Sequence, residues 1–402
     1  MTTATWITLE QARRALGVRP QTIYAYVSRG RIEVSPDPED SRRSLYRSED
    51  VAHLVRRKTS GRTRETLAAT TLFGAEPSLP TSISKFAGGR LYYRGTDAVS
   101  LAGTATLEQA ASLLWASEHP LAFTAPAGAN PAAPAGRVRA FTELAALAAT
   151  GHSTKGRATK VLLEESSSLV SRLAAAFGAS DDPALPLHER LARGWRQPRA
   201  VAGLIRKTLV LLADHEITSS AFSSRITAST GASLPACLLS GLMTFSGPLH
   251  GDASGRVRAL FDEGQRSGPE AVVDRYLSSA MPIPGFGHSI YPEGDPRATA
   301  LMADFEPPRH IARLIERVIA ATGLQPNVDV ALAALVTRYR LPADAAFALF
   351  AVARSVGLLA HSMEQLGIDS VIRPRGRYNG PAIEPGPESR RFKRKGQDSG
   401  PA

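Results

Sequence analysis

Cysteine is almost absent from this 402-residue chain. Cys237 stands alone, which excludes a disulfide framework or a cysteine-rich metal site within the chain. No uninterrupted apolar run reaches membrane-spanning length, and the opening residues, with Arg13 and Arg14 on a polar pattern, lack the signature of a secretory signal. The expectation is a cytoplasmic protein without a membrane partner. Internal repeats and heptads are missing too, and strand signals are few and short. Histidine is scarce, with nine in all, so any histidine carried on a Gly/Pro loop stands out.

What is present is the composition of an ordinary globular protein, 43% hydrophobic and 21% charged, long enough for two or three domains. A net charge of +11 suits either nucleic acid or anionic small molecules, and charge alone does not choose. Part of it comes from Arg390, Arg391, Lys393, Arg394 and Lys395, in a Gly/Pro/Ser setting. Residues 386–402 therefore read as a solvating, disordered basic tail.

Residues 1–58 read as an independent small unit. Thr8 precedes an amphipathic stretch that stops at Gly17, and Pro20 opens a second stretch in which Ile23 and Val27 fall one turn apart. Two short helices joined at a Gly-Val turn form the helix-turn-helix pattern. Residues 41–47, with Arg42, Arg43 and Arg47, fit a basic wing strand, and Ser48-Glu49-Asp50 caps a third helix. This stretch resembles the winged helix-turn-helix of MerR-like regulators and excisionases. The resemblance implies DNA as a partner, with Arg19, Gln21, Thr22 and Tyr24 toward a groove and Arg42, Arg43 and Arg47 on phosphates. Such modules also serve as protein-interaction units.

Residues 59–81 suit a linker. Beyond it, Leu107 to Trp115, Arg137 to Thr150, Thr159 to Phe177 and Ala200 to Leu212 carry helical spacing, and the Ala/Pro-rich stretch from Ala122 to Gly136 reads as a loop. The body from 82 to 385 is expected to be almost entirely α-helical.

Three short strings carry chemistry. In Gly247-Pro248-Leu249-His250-Gly251, glycines on both sides present a histidine without steric screening. Gly285-Phe286-Gly287-His288 repeats the device, with Asp295-Pro296-Arg297 following. Gln325-Pro326-Asn327-Val328-Asp329 sets an acid where one helix breaks and another begins. Each alone reads as a turn histidine or a helix cap. Their order and spacing together are far more specific.

These strings are similar to the motifs of the citrate synthase family, and further matches run in family order from Ile83 to Gly380. They include Tyr93-Arg94-Gly95, Ala213-Asp214-His215-Glu216, the Arg354 to Gln365 stretch and Arg373-Pro374-Arg375. The resemblance implies an all-α fold of large and small helical domains, the small one being roughly residues 245–345 set into the large one. It implies the citrate-forming condensation of the tricarboxylic acid cycle, from acetyl-CoA and oxaloacetate. Acetyl-CoA is a substrate, so no cofactor or metal is implied. Asp329 would remove the methyl proton, His250 would donate to the thioester oxygen, and His288 would serve the keto carbonyl. His215, Arg297 and Arg354 would hold the keto acid, and Arg373 would reach it from the neighbouring subunit of a homodimer.

His361 reads as structural, while Arg375 stays open between substrate contact and ion pairing. The sequence departs from the family at Asp252, Ser289 and Val330-Ala331-Leu332. Asp252, beside His250, is expected to raise its pKa. Two other readings stand: a 2-methylcitrate synthase using propionyl-CoA, and a DNA-binding regulator whose citrate-synthase-like body senses a metabolite.

Overall fold

The computed structural model describes residues 6–18, 20–28, 31–38, 40, 43–52, 54, 79–124, 135–368, 370–374 and 380–381. Arg19, Arg42, Arg375, the linker up to residue 78, residues 125–134 and the basic tail lie outside the described residues. The chain divides into two compact units, one of Met1–Ser78 with Pro374–Ala402 and one of Leu79–Arg373.

In the first unit, Thr8 caps the helix Leu9–Leu16 through a reciprocal pair of bonds. Its hydroxyl accepts the Gln11 amide at 3.3 Å, and Gln11 Oε1 accepts the Thr8 amide at 2.8 Å. Gly17 ends that helix in the left-handed region at φ 59°, returning its N–H to the Arg13 carbonyl at 2.9 Å. Proline then opens the helix Pro20–Ser28, where a missing N–H costs nothing. Three short strands, Trp6–Ile7, Val34–Pro36 and Ser44–Arg47, form an antiparallel sheet with Ser44–Arg47 in the middle, and residues 48–52 are helical. Ala12, Leu16, Ile23, Ile32, Tyr46 and Val51 make a small core of their own.

The second unit is mostly helical. It begins with a hairpin, Ser84–Ala87 against Arg90–Tyr93, whose turn is Gly88-Gly89 with φ of 55° and 72°. Two successive positive φ values match the twist of a two-residue hairpin, and glycine supplies them without strain. The helices Leu107–Leu114, Arg137–Thr150, Thr159–Ala176 and Arg199–Leu212 appear where helical spacing marks them. The helices Ala253–Ser267, Pro269–Ser278, Pro296–Met302, Arg309–Thr322 and Val328–Tyr339 pack largely on one another. One continuous apolar core runs through the unit.

Its central element is the helix Ala345–Leu366, packed against Ser219–Ser229, Leu234–Phe245 and Arg199–Leu212. This helix is apolar along most of its length. Its 22 residues are long and apolar enough to cross a membrane by length and composition, although no uninterrupted run announces it. Arg354, His361 and Glu364 break the run, and the helix lies inside the protein, with 94% of its most apolar window buried.

Gly357 lets this helix touch the residues before His215. An added Cβ there would lie 2.3 Å from Asp214 Oδ1 and 2.5 Å from the Ala213 carbonyl, which instead accepts the Gly357 amide at 3.0 Å. The same contact brings Arg354 Nε to the Leu212 carbonyl at 3.1 Å.

Candidate active site

His250 is held by a ring and a hydroxyl. The helix Leu234–Phe245 ends, and the chain folds back so that the Gly251 amide meets the Phe245 carbonyl at 2.9 Å. A Cβ at Gly251 would sit 2.1 Å from the Phe245 ring, so only glycine allows the return. Phe245 then packs edge-on against His250, with centroids 5.2 Å apart. On the other side His250 Nε2 and Ser220 Oγ are 2.8 Å apart.

Burial first, and then the Arg354 charge, push the His250 imidazole down to about 4. This reverses the expected effect of Asp252. Its carboxylate is engaged by Arg137 through two bonds of 2.9 Å and adds nothing that keeps the ring protonated.

His288 is held by backbone. Gly287 donates to the Gln325 carbonyl and Asn327 to the Gly285 carbonyl, each at 2.8 Å, stitching the 283–291 loop to the start of the helix Val328–Tyr339. Gly285, at φ 83°, lies where a Cβ would press on Val330 at 2.6 Å and Val257 at 2.7 Å. His288 Nδ1 accepts the Ile290 amide at 3.1 Å, so a neutral ring carries its proton on Nε2. Burial, then Arg297, lowers its pKa.

The His288 ring stands 5.6 Å from that of His215, whose Nε2 is 3.1 Å from Tyr291 Oη. Burial leads the effects that hold His215 well below the usual histidine range, followed by Arg297 and Arg354. Phe86 of the hairpin closes this side, 4.8 Å from the His215 ring.

The same stitch sets Asp329 in the first turn of its helix, its amide bound to Asn327 Oδ1 at 2.9 Å. The carboxyl is half-buried, and its Oδ1 is buried without a partner. Burial pushes it up to about 7, against the pull of Arg297 and with the help of Asp295.

Two buried arginines complete the cluster. Arg297 gives its Nε–Nη2 edge to Asp295, at 2.9 and 2.8 Å, leaving the other face of the guanidinium for a ligand. Arg354 bonds the Leu212 carbonyl through Nε and lies 5.1 Å over the Phe350 ring, while its Nη2 is buried without a partner. Burial lowers its pKa to about 10, with Asp214 the chief opposing charge.

Fully buried, His361 Nε2 and Asp214 Oδ1 lie 3.3 Å apart without the alignment of a hydrogen bond. Arg225 joins His361 to Glu364.

His215, His250, His288, Arg297, Asp329 and Arg354 thus share one polar cluster lined by Phe86, Tyr291 and Ser220. Arg373 is exposed after the central helix, and among the described residues the cluster's contacts do not include it. The sequence reading missed Ser220, Tyr291 and the role of Asp295. Asp295 stands inside the Asp295-Pro296-Arg297 string and Tyr291 three residues beyond His288, but Ser220 lies 30 positions from His250 and carries no local signal. Among the described residues no group of three His, Cys, Asp or Glu side chains could hold a metal ion.

In the first unit, Gln21 and Tyr24 are exposed on the helix Pro20–Ser28 and Thr22 is half-buried. Arg43 lies 3.3 Å from Asp40, and Arg47 pairs with Glu33 at 2.7 Å.

Residues 73–375 match the family model described as citrate synthase, C-terminal domain. The chain belongs to the citrate synthase family. It is 34% identical over 186 residues to the citrate synthase of Synechocystis sp., an alignment covering 43% of this chain and 47% of that protein. It is 30% identical over 188 residues to 2-methylcitrate synthase 2 of Corynebacterium glutamicum, covering 43% and 48%. The alignments therefore span about half the length of these relatives.

Among solved structures, Thermotoga maritima citrate synthase shares the fold at TM-score 0.65 and 24% identity, covering 80% of this chain and 99% of that one. The Thermoplasma acidophilum citrate synthase, solved with carboxymethyl coenzyme A and oxaloacetate, matches at TM-score 0.65 and 20% identity, covering 79% and 97%. The citrate-synthase-like helical fold therefore belongs to this chain too.

Proposed function

We propose that the protein condenses acetyl-CoA with oxaloacetate and hydrolyses the resulting thioester to citrate and CoA. The observation that carries this reading is the combination of one carboxyl raised to about 7 and unpartnered at Oδ1 with neutral histidines and a buried arginine lacking a partner at Nη2. A feebly acidic methyl needs a strong carboxylate base and a hydrogen bond to the developing enolate oxygen at the same time.

Asp329 takes the methyl proton. In the tautomer that accepts the Ser220 hydroxyl at Nε2, His250 carries its own proton on Nδ1 and gives that bond to the thioester oxygen. The enol carbon attacks the keto carbon of oxaloacetate, forming the C–C bond. The keto oxygen takes the proton from His288 Nε2, which regains one from the water that cleaves the thioester, while the proton on Asp329 goes to the leaving thiol. Water then cleaves the thioester and frees the thiol. Arg354 and the open face of Arg297 hold the carboxylates of the keto acid, with His215 beside them.

The relative from Corynebacterium glutamicum, a 2-methylcitrate synthase, supports a second reading with propionyl-CoA as donor. One methylene is worth only about 1–3 kcal/mol of discrimination, so the two activities will overlap. Thiol release with each donor at fixed oxaloacetate, with product masses, decides between them. No release with either donor would end both readings.

Arg373 in this proposal reaches the site of a second copy in a cytoplasmic homodimer that needs no metal or cofactor. Its test is complementation: mixing Arg373→Ala and Asp329→Asn chains restores activity if the arginine acts across the interface.

We further infer that the first unit is a winged helix-turn-helix that contacts DNA through Gln21, Thr22, Tyr24 and Arg43. The Gly17 turn between two short helices and the Val34–Pro36/Ser44–Arg47 hairpin support it. Binding that weakens steeply with salt is expected in a gel-shift series, and an absent or salt-insensitive shift counts against it.

A further inference from the structure

Asp252 and Asp344 occupy the N-cap positions of the helices Ala253–Ser267 and Ala345–Leu366, yet neither side chain caps its helix. Both turn instead to Arg137, the first residue of the helix Arg137–Thr150. Arg137 Nη1 and Nη2 each lie 2.9 Å from an Asp252 oxygen, and Nη2 is also 2.8 Å from Asp344 Oδ1. The three side chains are 31–35% exposed, enough enclosed for the pairing to hold a geometry.

The guanidinium lies 3.7 Å over the Phe347 ring, which is 5.7 Å from Phe245. Phe245 is in turn the ring against which His250 packs. Arg137 therefore reaches His250 twice, along the turn His250-Gly251-Asp252 and through two rings packed at a tilt.

We propose that Arg137 is a positioning residue for His250, drawing the Asp252 carboxylate away from the imidazole and anchoring the turn that presents it. The groups around that ring are Ser220 from the helix Ser219–Ser229, Phe245 from its own helix, Arg354 from the central helix, and His215 as a further charge neighbour. None supplies a negative charge. Asp252, two residues along, is the carboxylate whose release would favour an imidazolium, and Arg137 holds it. A protonated His250 would be wrongly charged to stay in step with a buried arginine and would lose its tautomer as a selective donor.

The role of His250 rests on the condensation reading; the way it is held rests on the geometry alone. The test uses the full chain with ring-labelled histidine, titrated by NMR, the His250 resonance being assigned by its loss in His250→Gln. Arg137→Met keeps an apolar stem over Phe347 and should raise the His250 midpoint by about one pH unit or more. Arg137→Met with Asp252→Asn should return it toward the wild-type value.

In parallel, CoA release by Arg137→Met should fall about tenfold at pH 7, while KM for the keto acid stays within about threefold, and the double variant should recover most of the rate. Should Arg137→Met not fold, Arg137→Gln carries the same expectation. An unmoved midpoint, or a double variant that does not reverse the shift, would overturn the proposal. A wild-type protein that releases no CoA would end the condensation reading and leave the titration to decide this one.

Discussion

Two arginines enter the same cluster from different elements and in opposite states. Arg297, at the start of the helix Pro296–Met302, has a buried carboxylate of its own in Asp295, which also takes the amides of Arg297 and Val328. Arg354, in the middle of the central helix, has a carbonyl, a ring face and one unpartnered nitrogen. Burying a charge is costly unless it is paired. The first arginine is therefore part of the fold and offers a ligand one face. The second is a buried cation with one nitrogen left unpartnered, which the proposed reading fills with a substrate carboxylate.

Exchange of each residue should break the comparison in a different place. The largest effect is expected from Arg297→Met, which strands the Asp295 carboxylate in the core and should cost about 3–5 kcal/mol in denaturant unfolding. Adding Asp295→Asn should recover part of it.

Arg354→Met should do the reverse. Thermal stability stays level or rises, because a poorly solvated charge is gone, while the affinity for oxaloacetate drops on the order of 100-fold, or about 2–3 kcal/mol, in calorimetry. A stability loss comparable to that of Arg297→Met would erase the distinction.

The pH dependence sharpens it. kcat/KM for acetyl-CoA should rise as pH climbs through about 7, where Asp329 sheds its proton. His250, at about 4, remains neutral throughout that range. A rate limb near pH 4 instead would remove Asp329 as the base. The stability sign follows from the same shift. The folded carboxyl binds its proton more tightly than the unfolded one, so its contribution to stability is lost as pH rises through about 7. Asp329→Asn should accordingly melt higher than the wild type above that pH.

The smallest effect belongs to Tyr291→Phe. It leaves His215 Nε2 without its hydroxyl and should raise KM for oxaloacetate a few-fold, about 1 kcal/mol, with little change in kcat.

Much of this site is legible in the sequence because its devices are local. Gly251 and Gly285 precede close approaches to Phe245 and to Val257 and Val330 that no other residue permits, and a glycine beside a histidine can be read without a structure. Asn327 before Asp329 announces a helix start in the same way. The mostly helical body is equally visible, since helical spacing repeats within a few residues.

What is not legible joins distant positions. Ser220 meets His250 through packing of separate helices. The effect of Asp252 on His250 is not readable locally because Arg137, which pairs with it, lies 115 positions upstream. In the central helix, the buried His361 likewise meets Asp214 and Arg225 from elsewhere in the chain. The short spacing between Asp295 and Arg297 does not show that one edge of the guanidinium fork is already taken.

The central claim is that Asp329 removes a proton from an acetyl thioester held against His250. Its most direct test is release of free thiol from acetyl-CoA with oxaloacetate, measured side by side for the intact protein and Asp329→Asn after oxaloacetate binding has been matched by calorimetry. Turnover by the first is expected, with a loss of about a thousandfold or more in the second and affinity for the keto acid retained. Equal thiol release by the two, or none by the intact protein while it still binds oxaloacetate, would contradict it.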